Sequence, residues 1–549
     1  MVRTPPPSAA RRLRGAIGLC LVAATASAQQ FFPDDPIWRD RDDLPIARPE
    51  EIELSGGWDM IENTFGIGRP PVEPQEPAVN VNTLGEVPDS SWFTNRIGWR
   101  PMSLEELRRG PATRSGPEPP WTVVRGKSGG ITPGFTIRDA RGDVYFIKFD
   151  PADYPNLPSA ADVIGTTFFH AIGYNVPENY IAHFRPEELE LSPTATISGG
   201  GRSNARMIEA DLREILATAR PRPDGTYRVL ASLAVPGEPL GPRKFFGTRP
   251  DDPNDVFPHQ DRRELRGYRV FCAWLNHDDS RAVNTLDVFV GSGERGFVRH
   301  YLIDFASILG SGSVRPQGLR AGNEYLLEWG PALRSALTLG WWDRAWRSVE
   351  YPDHPEVGRF ESAFFEPHAW RPEHPNLAFQ KMRNDDAFWA ARIVSRFDDE
   401  AVAAAVSTGR YDDPEAERYV VDTLIARRNE IVAEYFTRIN PLSEFRVEIA
   451  PGATGRLVFD NLGAIAGLGG VEGYEVTWFE LDSDSGALSE LSAPSLLEEP
   501  SLPIPESGAR FLAARIRTRS DVPAWEKRVD VFLRNDVWPE SVVGIEREN

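Results

Sequence analysis

Cysteine is nearly missing from this chain of 549 residues, which carries two, Cys20 and Cys272. Cys20 falls inside the apolar run of an export signal described below, so a mature chain keeps Cys272 alone. A single thiol forms no internal disulfide and no cysteine zinc site. Stability must then come from a buried core. With 41% hydrophobic and 26% charged residues the chain has the balance of a globular protein able to form one. Lysine is scarce too: Lys127, Lys148, Lys244, Lys381 and Lys527 are the whole set among 61 basic residues. A cation here is Arg by default, and each Lys asks for a reason. Positive charge as a whole is short, with 81 Asp+Glu and a formal net charge of −20. So acidic a surface repels phosphate backbones and anionic lipid, which argues against nucleic-acid binding and leaves room for a local basic pocket.

Several chemistries lack their motifs. Beyond the export signal no apolar run reaches the ~18 residues of a membrane span. His259 and His277 have no H-E-x-x-H spacing, and no G-x-S-x-G occurs, which disfavours zinc catalysis and an α/β-hydrolase. The acidic cluster Asp251 to Asp255 lacks the sixth-position Gly and twelfth-position Glu of an EF-hand, and reads instead as a turn capping the helix that begins near Asp261.

What is there begins with residues 1–28. Arg11, Arg12 and Arg14 form a positive segment, Ala16 to Thr25 a short apolar core, and Ala26-Ser27-Ala28 a small-x-small cleavage pattern. This predicts export, to a periplasm or the exterior, with a mature start at Gln29 and a formal charge of −24 once four Arg are lost. The length suggests about two to four domains. Residues 29–120 are rich in Pro and Gly and read as an irregular extension packed on a larger body. Strands are expected at Trp121–Val124, Phe135–Ile137 and Val144–Phe149, a helix from Ser159 to Ile172 stopped by Gly173, and strands again before Pro236. Helical periods then dominate to about residue 441, broken by one hairpin (TLDVFV–GSGERG–FVRHYLI). Residues 445–549 alternate as the strands of a sandwich-like all-β domain.

The chemistry concentrates in one segment, Asn276-His277-Asp278-Asp279-Ser280-Arg281-Ala282-Val283-Asn284. It fits H-x-D-x-x-x-x-N at His277, Asp279 and Asn284, and the hairpin that follows ends in Ile303-Asp304-Phe305-Ala306. On these residues the chain resembles the protein-kinase-like superfamily, and among its members the atypical HipA-like, phosphoinositide-kinase-like and secreted CotH-like kinases. Taken alone, NHDDSRAVN also reads as a polar turn leaving a helix, and Asp304 as a strand-end cap. The resemblance extends upstream. Lys148 in Val144-Tyr145-Phe146-Ile147-Lys148-Phe149 stands like the Lys of V-A-I-K, behind a glycine-containing loop (RGKSGGITPG). It shares a strand face with Phe146, where side-chain burial is expected; the other reading of Lys148 is an edge-strand cation. Asp162 is either the carboxylate that pairs with Lys148 or, in Ser159-x-x-Asp162, the far end of a capping box.

Over residues 121–441 the resemblance implies α+β structure in a bilobal kinase-like fold, with a β-rich N-lobe (121–237) and a helical C-lobe (238–441). It implies ATP and Mg²⁺ (or Mn²⁺) as cofactors. Lys148 with Gly126, Lys127, Gly129 and Gly130 would hold the nucleotide, Asn284 and Asp304 the metal, and Asp279 would act as base, with Asp162 positioning Lys148. Two departures stand out: Ala306 where D-F-G has Gly, and no A-P-E-like stretch after it, which disfavours peptide substrates. The expected function is an exported phosphotransferase acting on an unknown protein or small-molecule acceptor. The alternatives are a catalytically inactive kinase-fold module for binding or envelope assembly, with an envelope partner on its β domain, and a nucleotidyl transferase using the same site.

Overall fold

A computed structural model describes residues 29–67, 76–127, 133–199, 202–293, 295–328, 344–449, 455–536 and 541–549, with 330, 333, 334, 337 and 338. Residues 1–28, expected to be an export signal, and Gly129 and Gly130 lie outside the described residues. The chain is α+β, with several sheets and many short helices. Among the described residues no helix is long and apolar enough to cross a membrane.

The first body is a seven-stranded sheet. Its strands are Trp121–Lys127 (β1), Gly134–Arg138 (β2), Val144–Phe149 (β3), Asn179–Phe184 (β4), Leu189–Gly199 (β5), Arg202–Arg206 (β6) and Tyr227–Leu233 (β7), in the order β4-β7-β3-β2-β1-β5-β6. Every pair is antiparallel except β1 with β5. The sequence analysis read no strands at β5 and β6. Strand β3 alternates as a half-buried strand must. Tyr145, Ile147 and Phe149 enter an apolar core, whereas Phe146 is 50% exposed. The expected burial of the Phe146 and Lys148 face is thereby corrected, because the odd-numbered side chains fill the core and this face lines an open cleft.

Helix Leu157–Ile172 (α1) follows β3. Pro158 suits its first turn, and Asp150 caps it by accepting from the Ser159 backbone N–H at 2.9 Å and the Ser159 hydroxyl at 2.7 Å. All its side chains but His170 are buried, as expected of a helix enclosed on all sides. Gly173 ends it at φ 144°, where a Cβ would meet Phe93 Cζ at 2.3 Å.

Beneath α1 lies the helical body, built on Arg263–Leu275 (α2), Asn384–Ser395 (α3), Asp399–Val406 (α4) and Pro414–Phe436 (α5). Ile164, Phe168 and Phe169 of α1 join Phe271, Trp274, Trp389 and Leu424 in one core. The hairpin Thr285–Ser292 (β8) and Arg295–Leu302 (β9) pairs without a break from Thr285↔Leu302 to Ser292↔Arg295. Part of the 29–120 extension is built into this body, whereas Phe31 packs on Phe511 and Phe532 of the C-terminal part. Trp92, Phe93, Ile97 and Leu107 share the core of the helical body, and Asn80 Oδ1 accepts the Arg263 N–H at the start of α2. The Asp251 to Asp255 turn is present, yet it does not cap that helix. Asp255 is spent on His259 Nε2 (2.7 Å), Arg262 Nη2 (3.3 Å) and the Arg249 N–H.

The C-terminal part has two sheets around one core of Leu457, Phe459, Val476, Trp478, Leu512 and Val531. Trp525 fastens it to the helical body, donating from Nε1 to the Phe436 carbonyl at 2.8 Å.

Candidate functional site

Helix α2 stops at Asn276, which takes the left-handed conformation (φ 52°). Its amide is fixed from both ends, accepting from Trp370 Nε1 at 2.9 Å and donating to Gln317 Oε1 at 3.0 Å. The chain then turns into the 277–284 loop. His277 is buried among Phe169, Tyr268 and Phe305, and burial lowers its ring to about 3. Burial thus favours the neutral form of the ring. Asn284 reaches back to donate from Nδ2 to the Asp279 carbonyl at 2.7 Å. That bond closes the loop and accounts for the five-residue spacing of the motif. Asp279 forms an ion pair with Arg281, which also lies 3.3 Å from Glu373 Oε2. Burial pushes the Asp279 carboxyl up, and Arg281 opposes the rise.

Asp304 follows β9 in the left-handed region at φ 62°, an unusual backbone for a residue with a Cβ. Its neighbour Phe305 is held against α1 because Gly165 leaves room, a Cβ there lying 2.6 Å from Phe305 Cβ. Phe305 stacks on Phe169 at 4.8 Å, and its backbone N–H donates to Asp162 Oδ1 at 3.3 Å.

Lys148 links the two bodies. Its Nζ lies 3.0 Å from Asp304 Oδ1 and 3.6 Å from Asp162 Oδ2. The partners differ in setting, for the Asp162 side chain is 2% exposed and that of Asp304 48%. Burial pushes the Asp162 carboxyl up to about 6, with Lys148 opposing and the Asp304 charge adding to the rise. Burial also works against the Asp304 charge, yet Lys148 outweighs it and holds that carboxyl below the usual range. Lys148 itself is raised, since the two carboxylates more than reverse its desolvation. The capping-box alternative for Asp162 is not realised. Helix α1 starts two residues before Ser159 and the Ser159 side chain is taken by Asp150, so Asp162 is left to Lys148 and to Asn179 Nδ2 at 2.8 Å.

These groups open into a cleft of about 710 Å³ between the sheet and the helical body. Asp279, Asn284, Asp304 and Lys148 all line it, as do Gly126, Lys127, Arg125 and Arg281. Its lining sets four cations, Arg125, Lys127, Lys148 and Arg281, against three carboxylates, Asp150, Asp279 and Asp304, so it is less acidic than the protein as a whole. Gly126 lines the cleft from inside β1, where it pairs with Phe135. A Cβ there would meet Met207 Sδ at 2.8 Å, so a larger residue requires the tip of Met207 to shift.

Some site residues escaped the sequence analysis. Arg281 sat inside the motif unremarked. Asn179 acts on Asp162, Glu373 on the loop and Gly165 on Phe305 from distant positions, and no local pattern marks them. Among the described residues no group of three or more His, Cys, Asp or Glu is arranged to hold a metal ion. Asp304 and Asn284 supply one carboxylate and one amide oxygen, a donor set suited to a hard divalent cation that keeps waters and phosphate oxygens as its other ligands. The Asn284 nitrogen is committed to Asp279, which leaves its oxygen end for such a cation. Comparison with family models, curated proteins and solved structures finds no match to this chain.

Proposed function

We propose that the cleft is the site of an exported, ATP- and Mg²⁺-dependent phosphotransferase with a bilobal kinase-like arrangement, in which the β sheet covers the nucleotide and the helical body carries the transfer loop. One observation carries it: Lys148, on the third strand, is held between an acid of the following helix and the Asp at the end of the hairpin. That triple contact spans both bodies; phosphotransfer of this type requires the lysine–acid pair together with a metal-binding Asp, and the contact brings candidates for both to one place.

Phosphoryl transfer needs little covalent help from a protein, so positioning and charge neutralisation suffice. Lys148, oriented by Asp162, offers a fixed ammonium to the nucleotide phosphates. Lys127 and Arg125, on one face of β1, add positive charge beside it. Asp304 and Asn284 would hold Mg²⁺ or Mn²⁺, which when bound neutralises phosphate charge. Asp279 accepts the proton of the acceptor hydroxyl, and its raised carboxyl makes it a better base than an exposed Asp. The acceptor itself is a protein or small molecule with a free hydroxyl.

Thermal-shift titration of residues 29–549 with ATP, with and without Mg²⁺ or Mn²⁺, tests this against Asp304→Ala. Saturation to 100 times the dissociation constant adds ~2.7 kcal/mol of native stability. A metal-dependent shift lost in Asp304→Ala is the expected result. No shift at millimolar ATP in the folded protein sinks the proposal and leaves a binding or envelope-assembly module. If ATP binds, the product mass separates phosphate transfer from nucleotidyl transfer.

A further inference from the structure

Gln317 is 6% exposed, an uncommon place for a residue type found mostly at the surface. Its backbone is fixed on both sides. The Gln317 N–H donates to the Gly310 carbonyl at 2.8 Å, and the Gln317 carbonyl accepts from Arg359 Nη1 at 2.5 Å. Both ends of the side-chain amide are used as well. Oε1 accepts from Asn276 Nδ2 at 3.0 Å, and Nε2 donates to Asp278 Oδ1 at 2.5 Å and to the Ser307 carbonyl at 2.7 Å. One group fixes the direction of these bonds. The Trp370 indole N–H can only donate, so the Asn276 atom that meets it at 2.9 Å is Oδ1. Asn276 Nδ2 then points at Gln317 Oε1, which leaves Gln317 Nε2 for a carboxylate oxygen and a backbone carbonyl.

These partners belong to two segments. Asn276 and Asp278 open the loop that carries Asp279 and Asn284, and Ser307 lies in the turn after Asp304. Backbone bonds secure the margins of the pair: the Ile303 N–H donates to the Asn284 carbonyl at 3.0 Å, and the Leu309 N–H to the Leu275 carbonyl at 2.8 Å. Between these margins the Gln317 amide joins the residue before Asp279 to the turn after Asp304.

We propose that Gln317 is a positioning residue that sets the Asp279 and Asp304 carboxylates relative to each other by tying the start of the 277–284 loop to the 304–309 turn. It stands behind the cleft, whose lining includes both carboxylates, and acts through them. The catalytic consequence rests on the phosphotransferase proposal, whereas the tie between the two segments is an independent claim about the fold. Gln317→Glu keeps the shape and turns the donor into an acceptor, so a carboxylate oxygen would face the Asp278 carboxylate and the Ser307 carbonyl. Adding Asp278→Asn rebuilds a donor–acceptor pair between the two positions with its direction reversed.

The experiment uses residues 29–549 with Gln317→Glu, Gln317→Met, Asp278→Asn and the double substitution Gln317→Glu with Asp278→Asn. Amide hydrogen exchange is followed over 276–284 and 304–309, with β3 and α3 as internal controls. Hydrolysis of ATP with Mg²⁺, water serving as acceptor, gives kcat and KM on the same samples. In Gln317→Glu exchange is expected to quicken over both segments and not over the controls. The kcat should fall ~10-fold or more, as a small misplacement of catalytic groups causes. The KM for ATP should stay within about twofold, because Lys148, Lys127 and Arg125 lie on the sheet. The double variant should recover much of the lost kcat and slow exchange again, a coupling that independent sites do not show. Unchanged exchange over the two segments in Gln317→Glu overturns the proposal, as does a KM that rises in step with the fall in kcat, or a double variant no better than Gln317→Glu. If Gln317→Glu does not fold, Gln317→Met, which removes the amide without adding charge, carries the same readouts. If the wild-type protein binds no ATP, the phosphotransferase proposal fails by itself, and exchange in the variants still decides the tie made by Gln317.

Discussion

Lys148 Nζ and Asp304 Oδ1 stand 3.0 Å apart although 156 residues separate them in sequence. One belongs to the sheet and the other follows the hairpin of the helical body, so their contact closes the back of the cleft. Asp162, the more buried partner, keeps the Asn179 amide and the Phe305 N–H whether or not the lysine is present.

Lys148→Met should therefore fold, with Asp162 taking up a proton in place of its lost partner. It should lose the charge-assisted hydrogen bonds to nucleotide phosphates, worth about 1.5–3 kcal/mol or roughly 10- to 100-fold in ATP affinity. Calorimetric titration with ATP and Mg²⁺ reads the loss. Equal affinity in the variant and wild type rules out Lys148 as a phosphate ligand.

Acid should weaken nucleotide binding through Asp162. Its carboxyl is raised to about 6, so below that pH it is neutral and no longer orients Lys148. The effect on folding has the opposite sign. A carboxyl raised in the folded state contributes stability that is fully present below its ordinary value and is lost as pH rises through about 6. Affinity should thus fall between pH 7 and 5 without a matching loss of stability from this group. ATP phosphate titrates in the same range, so Asp162→Asn is the control. The difference between the two affinity profiles isolates Asp162, and coincident profiles rule it out.

Trp92 is expected to be the main fastening of the extension. It is 3% exposed, stacks on His300 at 3.6 Å and lies under the Arg262 guanidinium at 4.2 Å. Trp92→Ala should cost about 3–5 kcal/mol, the usual figure for a buried Trp, measured by urea unfolding. Beside it, burial works against the Asp255 charge, but His259, His300 and Arg262 outweigh burial and hold the carboxyl down to about 2. That contribution is present above the ordinary carboxylate range and is lost as pH falls from about 4 to 2. Asp255→Asn should flatten the acid limb of the stability profile, and an unaltered limb would count against this assignment.

Two glycines near the cleft should respond differently to alanine. At Gly134 a Cβ would lie 2.2 Å from the Ile147 carbonyl oxygen, which is backbone of the paired strand. At Gly126 the obstacle is the tip of Met207, which can swing aside. Gly134→Ala should cost ~3 kcal/mol, the upper range for overpacking, and Gly126→Ala ~1 kcal/mol. Chemical denaturation of both variants checks the order. A reversed order would mean that the β2–β3 pairing yields more easily than the Met207 pocket.

Much of this protein is legible in its sequence because the signals are local. Alternation marked β3, a helical period and Gly173 bounded α1, and the spacing of Asp279 and Asn284 matched a loop that one side-chain bond closes. Strands β5 and β6 were missed because β5 runs through Ser192-Pro193-Thr194 with an exposed, irregular pattern. Its pairing with β1 on one side and β6 on the other makes it a strand.

Sequence by itself determined the residue types of the site and the order in which they occur: a rare lysine on a strand, an acid on the next helix, a loop with Asp and Asn, and an Asp after the hairpin. Which of these meet was decided by tertiary structure alone. Ser159-x-x-Asp162 satisfies a capping box on paper, and Asp150 settles the matter by taking Ser159 first. Nothing in the order of residues says that Gly165 lets Phe305 approach α1, or that the helix Gly56–Ile61 packs on Val283. A side chain's local neighbours follow from backbone periodicity, whereas its partners across the fold depend on how whole elements pack, and that is set by the sum of many contacts.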